Sequence, residues 1–179
     1  LTNHQLLKDF LNNLLKKNIL ISEIFACAGI GKRGKMTETE FEKHKEIFDL
    51  NVLSIIMLVR RALLNMSYLN YGNIVIISSS AAFQTLPNIA SYAASKMAIK
   101  SLGEALVVEN ENKNINILNI FPGGAKTNFQ RTAGVKVLKN EKLLTSEEIV
   151  VKSLFALWKK KSYLIISLKA KIMYLIGKL

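Results

Sequence analysis

Short runs that are apolar on both faces recur along this chain, each separated from the next by a stretch of helical periodicity. That alternation limits the possible folds more than any other feature of the sequence. A strand with two apolar faces must be covered on both sides, as in a parallel sheet with helices above and below. Residues 19–26, 74–77, 115–121 and 163–166 are the candidate strands. Leu6, Leu7, Phe10, Leu11, Leu14 and Leu15 recur at helical spacing and read as an amphipathic first helix. Thr37 and Glu40 form a T-x-x-E box that should open a helix toward Phe48, and Thr145 and Glu148 form another leading to Trp158. Further helices are expected over residues 52–66, 91–108 and after 166. Strand and helix alternating in this way define an α/β fold, a doubly wound parallel sheet in one domain over residues 1–179.

Composition narrows the class. The longest apolar run, residues 50–59, stops at Arg60-Arg61, well short of the roughly 20 residues a membrane span needs. No charged segment followed by an apolar one opens the chain, so no secretion signal is read. A lone cysteine, Cys27, fits a reducing compartment, and a cytoplasmic location is expected. Leu1 is no initiator and no stop signal closes the chain, which is expected to be a fragment at both ends. The net charge of +12 is uneven, because residues 149–179 hold seven lysines and no acid. A solvated lysine-rich face accounts for this; an anionic partner such as a phospholipid surface is the alternative.

Gly29, Gly31 and Gly34 match G-x-G-x-x-G after a strand. In a phosphate-binding fingerprint, however, the glycines open the helix, and here the helix is expected only after Thr37. The match is read as a loop. Tyr92 and Lys96 lie four apart on an expected helix and so share a face. An adjacent ammonium stabilises phenolate and can bring a phenol with a pKa of about 10 toward neutrality. Spacing alone is weak, since Tyr174 and Lys178 repeat it. Ser79 strengthens it by standing at the carboxyl end of the 74–77 strand, where open α/β sheets bind ligands.

Phe25-Ala26-Cys27-Ala28-Gly29-Ile30, then Asn51, Ile77-Ser78-Ser79-Ser80-Ala81, Tyr92-Ala93-Ala94-Ser95-Lys96 and Pro122-Gly123-Gly124-Ala125-Lys126-Thr127 occur in that order. This series resembles the signature of the classical short-chain dehydrogenase/reductase family. The resemblance implies a Rossmann-like fold and hydride transfer between NAD or NADP and an alcohol or carbonyl carbon. It implies that Tyr92 is the general acid and base and that Lys96 lowers its pKa and holds the nicotinamide ribose. Ser79 would hold the substrate oxygen, and Asn51 a water that extends the proton relay. Ala28, Gly29, Pro122, Gly123 and Thr127 would line the cofactor. A dimer or tetramer through the helices after Asn51 and after Tyr92 is also implied, and no nucleic acid partner is expected.

Two departures accompany the likeness. Cys27 replaces the asparagine usual before Ala-Gly, and is read as a buried structural thiol. The family's glycine-rich phosphate loop, with two strand–helix units of roughly 50–60 residues, is absent, and with it the residue that chooses between NAD and NADP. A non-catalytic scaffold of the same fold, associated with a membrane surface, is the competing reading. Residues 129–144 are expected to form a lid over the substrate. His4 and His44 read as solvated, Trp158 as a core anchor, and no metal motif is found. Leu168, Ile172, Met173, Leu175, Ile176 and Leu179 fill one arc of the last helix, with Lys169 inside it. That arc either packs on the sheet or another subunit, or lies on an anionic membrane.

Overall fold

The computed structural model describes residues 1–135 and 143–176. Four parallel strands, β1 (Glu23–Ala26), β2 (Gly72–Ile77), β3 (Ile115–Phe121) and β4 (Tyr163–Ile165), lie side by side in chain order. The register pairs Ala26 with Ile76, Ile77 with Ile120 and Phe121 with Ile165, so the carboxyl ends form one edge. The helices are α1 (His4–Lys16), α2 (Phe41–Phe48), α3 (Ser54–Leu69), α4 (Ala90–Glu109), α5 (Phe129–Ala133), α6 (Ser146–Trp158) and α7 (Leu168–Ile176).

Side chains alternate across a strand, and both faces of the sheet are covered. Ile74, Ile76 and Ile117 pack on Ile55, Val59 and Met66 of α3 and on Ile99 and Leu106 of α4. Val75, Leu118 and Ile120 face the other way, toward Ala156 of α6. The expected Rossmann-like layering is therefore present. α4 can approach the sheet closely because Gly103 has no side chain: a Cβ there would stand 1.7 Å from Asn119 Oδ1.

Several local expectations are corrected. β1 begins at Glu23 rather than at residue 19, because the Ile21 N–H donates to Asn65 Oδ1 instead of entering a ladder. The first T-x-x-E box does not form. Residues 35–39 are a turn in which the Thr39 hydroxyl donates to Lys35 O and Lys35 pairs with Glu38, and α2 starts only at Phe41. The second box forms with both of its reciprocal bonds. α2 and α3 are not separate helices but are joined through one π-helical turn, Asp49–Leu53, where the Ser54 N–H reaches back to Asp49 O.

Neither histidine is free in solvent. His4 Nε2 bonds Asp49 O at 3.1 Å, and His44 Nδ1 bonds Ser91 Oγ at 2.7 Å while its Nε2 is buried without a partner. Trp158 is not in the core. It is 75% exposed, with its ring tilted against that of Phe155 at 5.8 Å. Among the described residues no helix is long and apolar enough to cross a membrane.

Candidate active site

The carboxyl edge of the sheet opens into a cavity of about 510 Å³. Each strand that reaches it ends in residues suited to a site: Cys27 and Gly29 after β1, Ser78 to Ser80 after β2, and Pro122 to Ala125 with Thr127 after β3. α4 begins over the same opening and delivers Tyr92 and Lys96 from its first two turns.

The three serines separate cleanly. Ser78 is buried and donates to Lys96 O at 2.9 Å, tying β2 to α4. Ser80 uses its N–H on Pro122 O, fastening β2 to the loop after β3. Ser79 lines the cavity beside Tyr92, and its hydroxyl accepts from the Ala81 N–H to cap a 3-10 turn.

Burial raises the Tyr92 phenol above its ordinary pKa, and the Ser79 hydrogen bond lowers it by less. The net direction is thus opposite to the lowering expected from Lys96. The reason is geometric: the Lys96 ammonium lies 5.9 Å from the centre of the tyrosine ring and donates to Ile77 O at 3.1 Å. Its own burial, offset in part by the charge interaction with Cys27, lowers Lys96 to about 8.

Asn51 lies behind the cavity rather than in its wall. Its Oδ1 accepts from the Ile30 N–H, and its Nδ2 donates to Ile30 O and to Ser95 Oγ, each at 2.9 Å. Ser95 in turn donates to Tyr92 O at 2.7 Å. Both amide hydrogens are therefore committed, so the side chain ties the post-β1 loop to α4 and has no N–H left for a water. The π-turn is what aims Asn51 inward.

Gly29, Pro122, Gly123 and Thr127 line the cavity, whereas Ala28 does not. A Cβ on Gly29 would come 3.2 Å from Lys96 Nζ, and one on Gly31 would come 2.9 Å from Phe129 and 3.2 Å from Tyr92. The glycines of this loop are thus needed for close approach to α4 and α5, not to open a helix. Cys27 is exposed at the cavity mouth rather than buried as expected; desolvation raises its thiol and the Lys96 charge lowers it by less. Reasoning from sequence missed the particular contacts of Ser95 and Phe129. The ring of Phe129, on α5, stands 5.0 Å from that of Tyr92. Of the expected lid, α5 and residues 134, 135, 143 and 144 are seen, and residues 136–142 lie outside the described residues. No cluster of metal-ligating side chains occurs among the described residues.

A serine, a tyrosine and a lysine converge at the carboxyl edge of the parallel sheet, the edge at which open α/β folds bind ligands. The sequence profile described as short chain dehydrogenase matches residues 1–137. The chain belongs to the short-chain dehydrogenase/reductase family. It is 26% identical over 182 residues to the probable short-chain type dehydrogenase/reductase VdlC of Helicobacter pylori, covering 96% of this chain and 67% of that protein. It is 29% identical over 126 residues to human dehydrogenase/reductase SDR family member 4, covering 70% of this chain but only 44% of that protein. Among solved structures, a short-chain dehydrogenase from Sphingobium yanoikuyae in complex with NADPH superposes with a TM-score of 0.87 at 20% identity, over 99% of this chain and 70% of the other.

Proposed function

We propose that the complete protein is an NAD- or NADP-dependent oxidoreductase that interconverts an alcohol and a carbonyl. The observation that carries this reading is the convergence of Ser79, Tyr92 and Lys96 on one cavity at the carboxyl edge of the sheet. Family membership and the NADPH complex of the Sphingobium enzyme support it.

The cavity fits a nicotinamide cofactor. Its described lining carries no carboxylate to repel phosphates, and Gly29 leaves open the space beside Lys96 that a side chain would fill. When bound there, the cofactor supplies or accepts the hydride. Gly29, Pro122, Gly123 and Thr127 would hold it, with Ala28 shaping the loop from behind. Lys96, buried and with one described hydrogen bond, has N–H donors left for a ribose hydroxyl.

Ser79 holds the substrate oxygen, and Tyr92 exchanges the proton. With its pKa raised by burial, Tyr92 is protonated at neutral pH, the form that donates to a carbonyl oxygen during reduction. Asn51 acts as a positioning residue: it fixes Ile30 on one side and, through Ser95, the Tyr92 backbone on the other. Phe129 covers the ring and excludes water.

The exposed apolar residues Ile56 and Leu64 of α3 and Met97 and Val108 of α4 are the proposed surface for self-association. The lone cysteine supports assignment to a reducing compartment such as the cytoplasm. The test is cofactor oxidation and reduction by the complete protein across a panel of ketones and alcohols. Turnover dependent on NAD(H) or NADP(H) is expected; its absence with every member would overturn the reading.

A second reading, attachment to an anionic membrane surface, is favoured by one observation. Leu168, Ile172 and Leu175 of α7 are all exposed, so the described part of that arc does not pack on the sheet. Lys169, Met173, Ile176 and Leu179 lie outside what is described of the side chains.

A further inference from the structure

We infer that the substrate is a small carboxylate-bearing molecule, held at its far end by Arg33. The inference rests on the oxidoreductase reading only for where the reacting carbon lies. The cavity lining mixes polar and apolar residues: Cys27, Gly29 and Lys96 on the one hand, Leu86, Ile89, Phe129, Val135 and Leu143 on the other. Arg33 lines the cavity as well, and its backbone is pinned between two neighbouring segments. Its N–H donates to Ala133 O, at the end of α5, at 2.7 Å. The N–H of the following Gly34 donates to Asn88 O, in the loop before α4, at 2.8 Å.

Charge then selects the ligand. Among the described residues lining the cavity there are two cations, Arg33 and Lys96, and neither Asp nor Glu. Lys96 is buried against β2 and bonded to Ile77 O. Arg33 is exposed, and none of the described ion pairs or hydrogen bonds engages its guanidinium. A planar guanidinium presents paired N–H groups that match a carboxylate in a two-point contact. A neutral substrate would leave that capacity unused.

Gly31 abuts the Tyr92 ring, and Arg33 is two residues further on, at most about 7 Å along the chain, so one small molecule can meet both. The apolar lining of Leu86, Ile89 and Val135 suits an aliphatic spacer between its two ends. The class is a short-chain oxo acid or the hydroxy acid it is reduced to.

The experiment has two arms on the complete protein with saturating reduced cofactor. Calorimetry measures glutarate binding to the wild type, Arg33→Gln and Arg33→Lys; turnover compares 5-oxohexanoate with its methyl ester. Glutarate is expected to bind at least tenfold more weakly to Arg33→Gln, with Arg33→Lys between. The preference for acid over ester, measured in kcat/KM, should fall at least tenfold in Arg33→Gln, mainly through KM for the acid. Absent or Arg33-independent glutarate binding, or equal use of acid and ester by the wild type, overturns the carboxylate inference, and ester turnover then leaves the oxidoreductase reading standing. Arg33-dependent glutarate binding without turnover of either compound supports the anion site and counts against the oxidoreductase reading instead.

Discussion

Asn51 grips Ile30 at two points, accepting from its N–H and donating to its C=O at 2.9 Å each. The pair lies 21 residues apart in sequence and locks the loop after β1 to the π-turn between α2 and α3. Asn51→Ala removes both bonds and the one to Ser95, stranding buried polar groups. Each stranded group costs about 1–3 kcal/mol, partly relieved by water where the loop is open. Chemical denaturation of the complete protein should show a loss of about 2–4 kcal/mol. Turnover should fall with it, because the loop also carries Gly29 and Gly31.

Tyr92→Phe removes the proposed proton donor and little packing, since the ring keeps its contact with Phe129. Turnover in the complete protein should fall by at least a thousandfold, while cofactor affinity, read by fluorescence titration, stays within a few-fold. Tyr174→Phe, at the other Y-x-x-x-K, should retain turnover. Near-normal rates in Tyr92→Phe would end the assignment.

Which parts of this were legible in the sequence follows from what each signal encodes. The strands 74–77 and 115–121 were found because burial on both faces writes an unbroken apolar run. The box at Thr145 forms with both reciprocal bonds at the start of α6, whereas Thr37 lost to a turn made by Lys35, Glu38 and Thr39. Ordered motifs located Ser79, Tyr92 and Lys96, but not what they do to one another. The direction of the Tyr92 shift depends on burial and on where Lys96 spends its hydrogen bond, and neither is written locally. The particular contacts of Phe129 and Ser95 were missed for the same reason: an aromatic in an expected lid and a serine in a helix acquire meaning only from what they meet across the fold. Trp158 was misread because an exposed tryptophan needs a partner surface the sequence does not show.

Gly31→Ala tests the close approach of the loop to Tyr92. The new Cβ would stand 2.9 Å from Phe129 and 3.2 Å from Tyr92, so one ring must move. Phe129 is the freer of the two because α5 has only five residues. The variant should lose about tenfold in kcat/KM, roughly 1.4 kcal/mol, and Gly31→Ala combined with Phe129→Leu should recover most of it. Failure of the double variant to recover activity would show that the backbone, not the ring, bears the strain.

Lys96 makes stability depend on pH in a defined direction. Its folded pKa is lowered to about 8 by burial, below the unfolded value of about 10.4. Between those values the unfolded chain holds a proton that the folded one has lost, so stability rises with pH through this window. Denaturation of the cofactor-free protein at pH 7.5 and 9.5 should show the wild type gaining about 1–2 kcal/mol relative to Lys96→Met. A gain of the same size in both proteins would assign the effect to other groups.

The outer face of α6 gives the membrane reading its sharpest test. Val150, Val151, Leu154, Phe155 and Trp158 recur at helical spacing and are all exposed, and Lys159 sits 4.8 Å from the centre of the Phe155 ring. With Lys160 and Lys161 following, the carboxyl end of α6 combines an interfacial aromatic with a basic cluster, which suits the headgroup layer of an anionic bilayer. Two copies could instead pair these faces head to tail, setting Glu147 and Glu148 of one against the lysines of the other. Vesicle co-sedimentation and sedimentation velocity separate the outcomes. Membrane attachment predicts binding to phosphatidylserine vesicles but not to neutral ones, lost at high salt and in Trp158→Ala. If the complete protein stays in the supernatant at low salt while Trp158→Ala lowers its oligomeric state, the face joins subunits and the membrane reading fails.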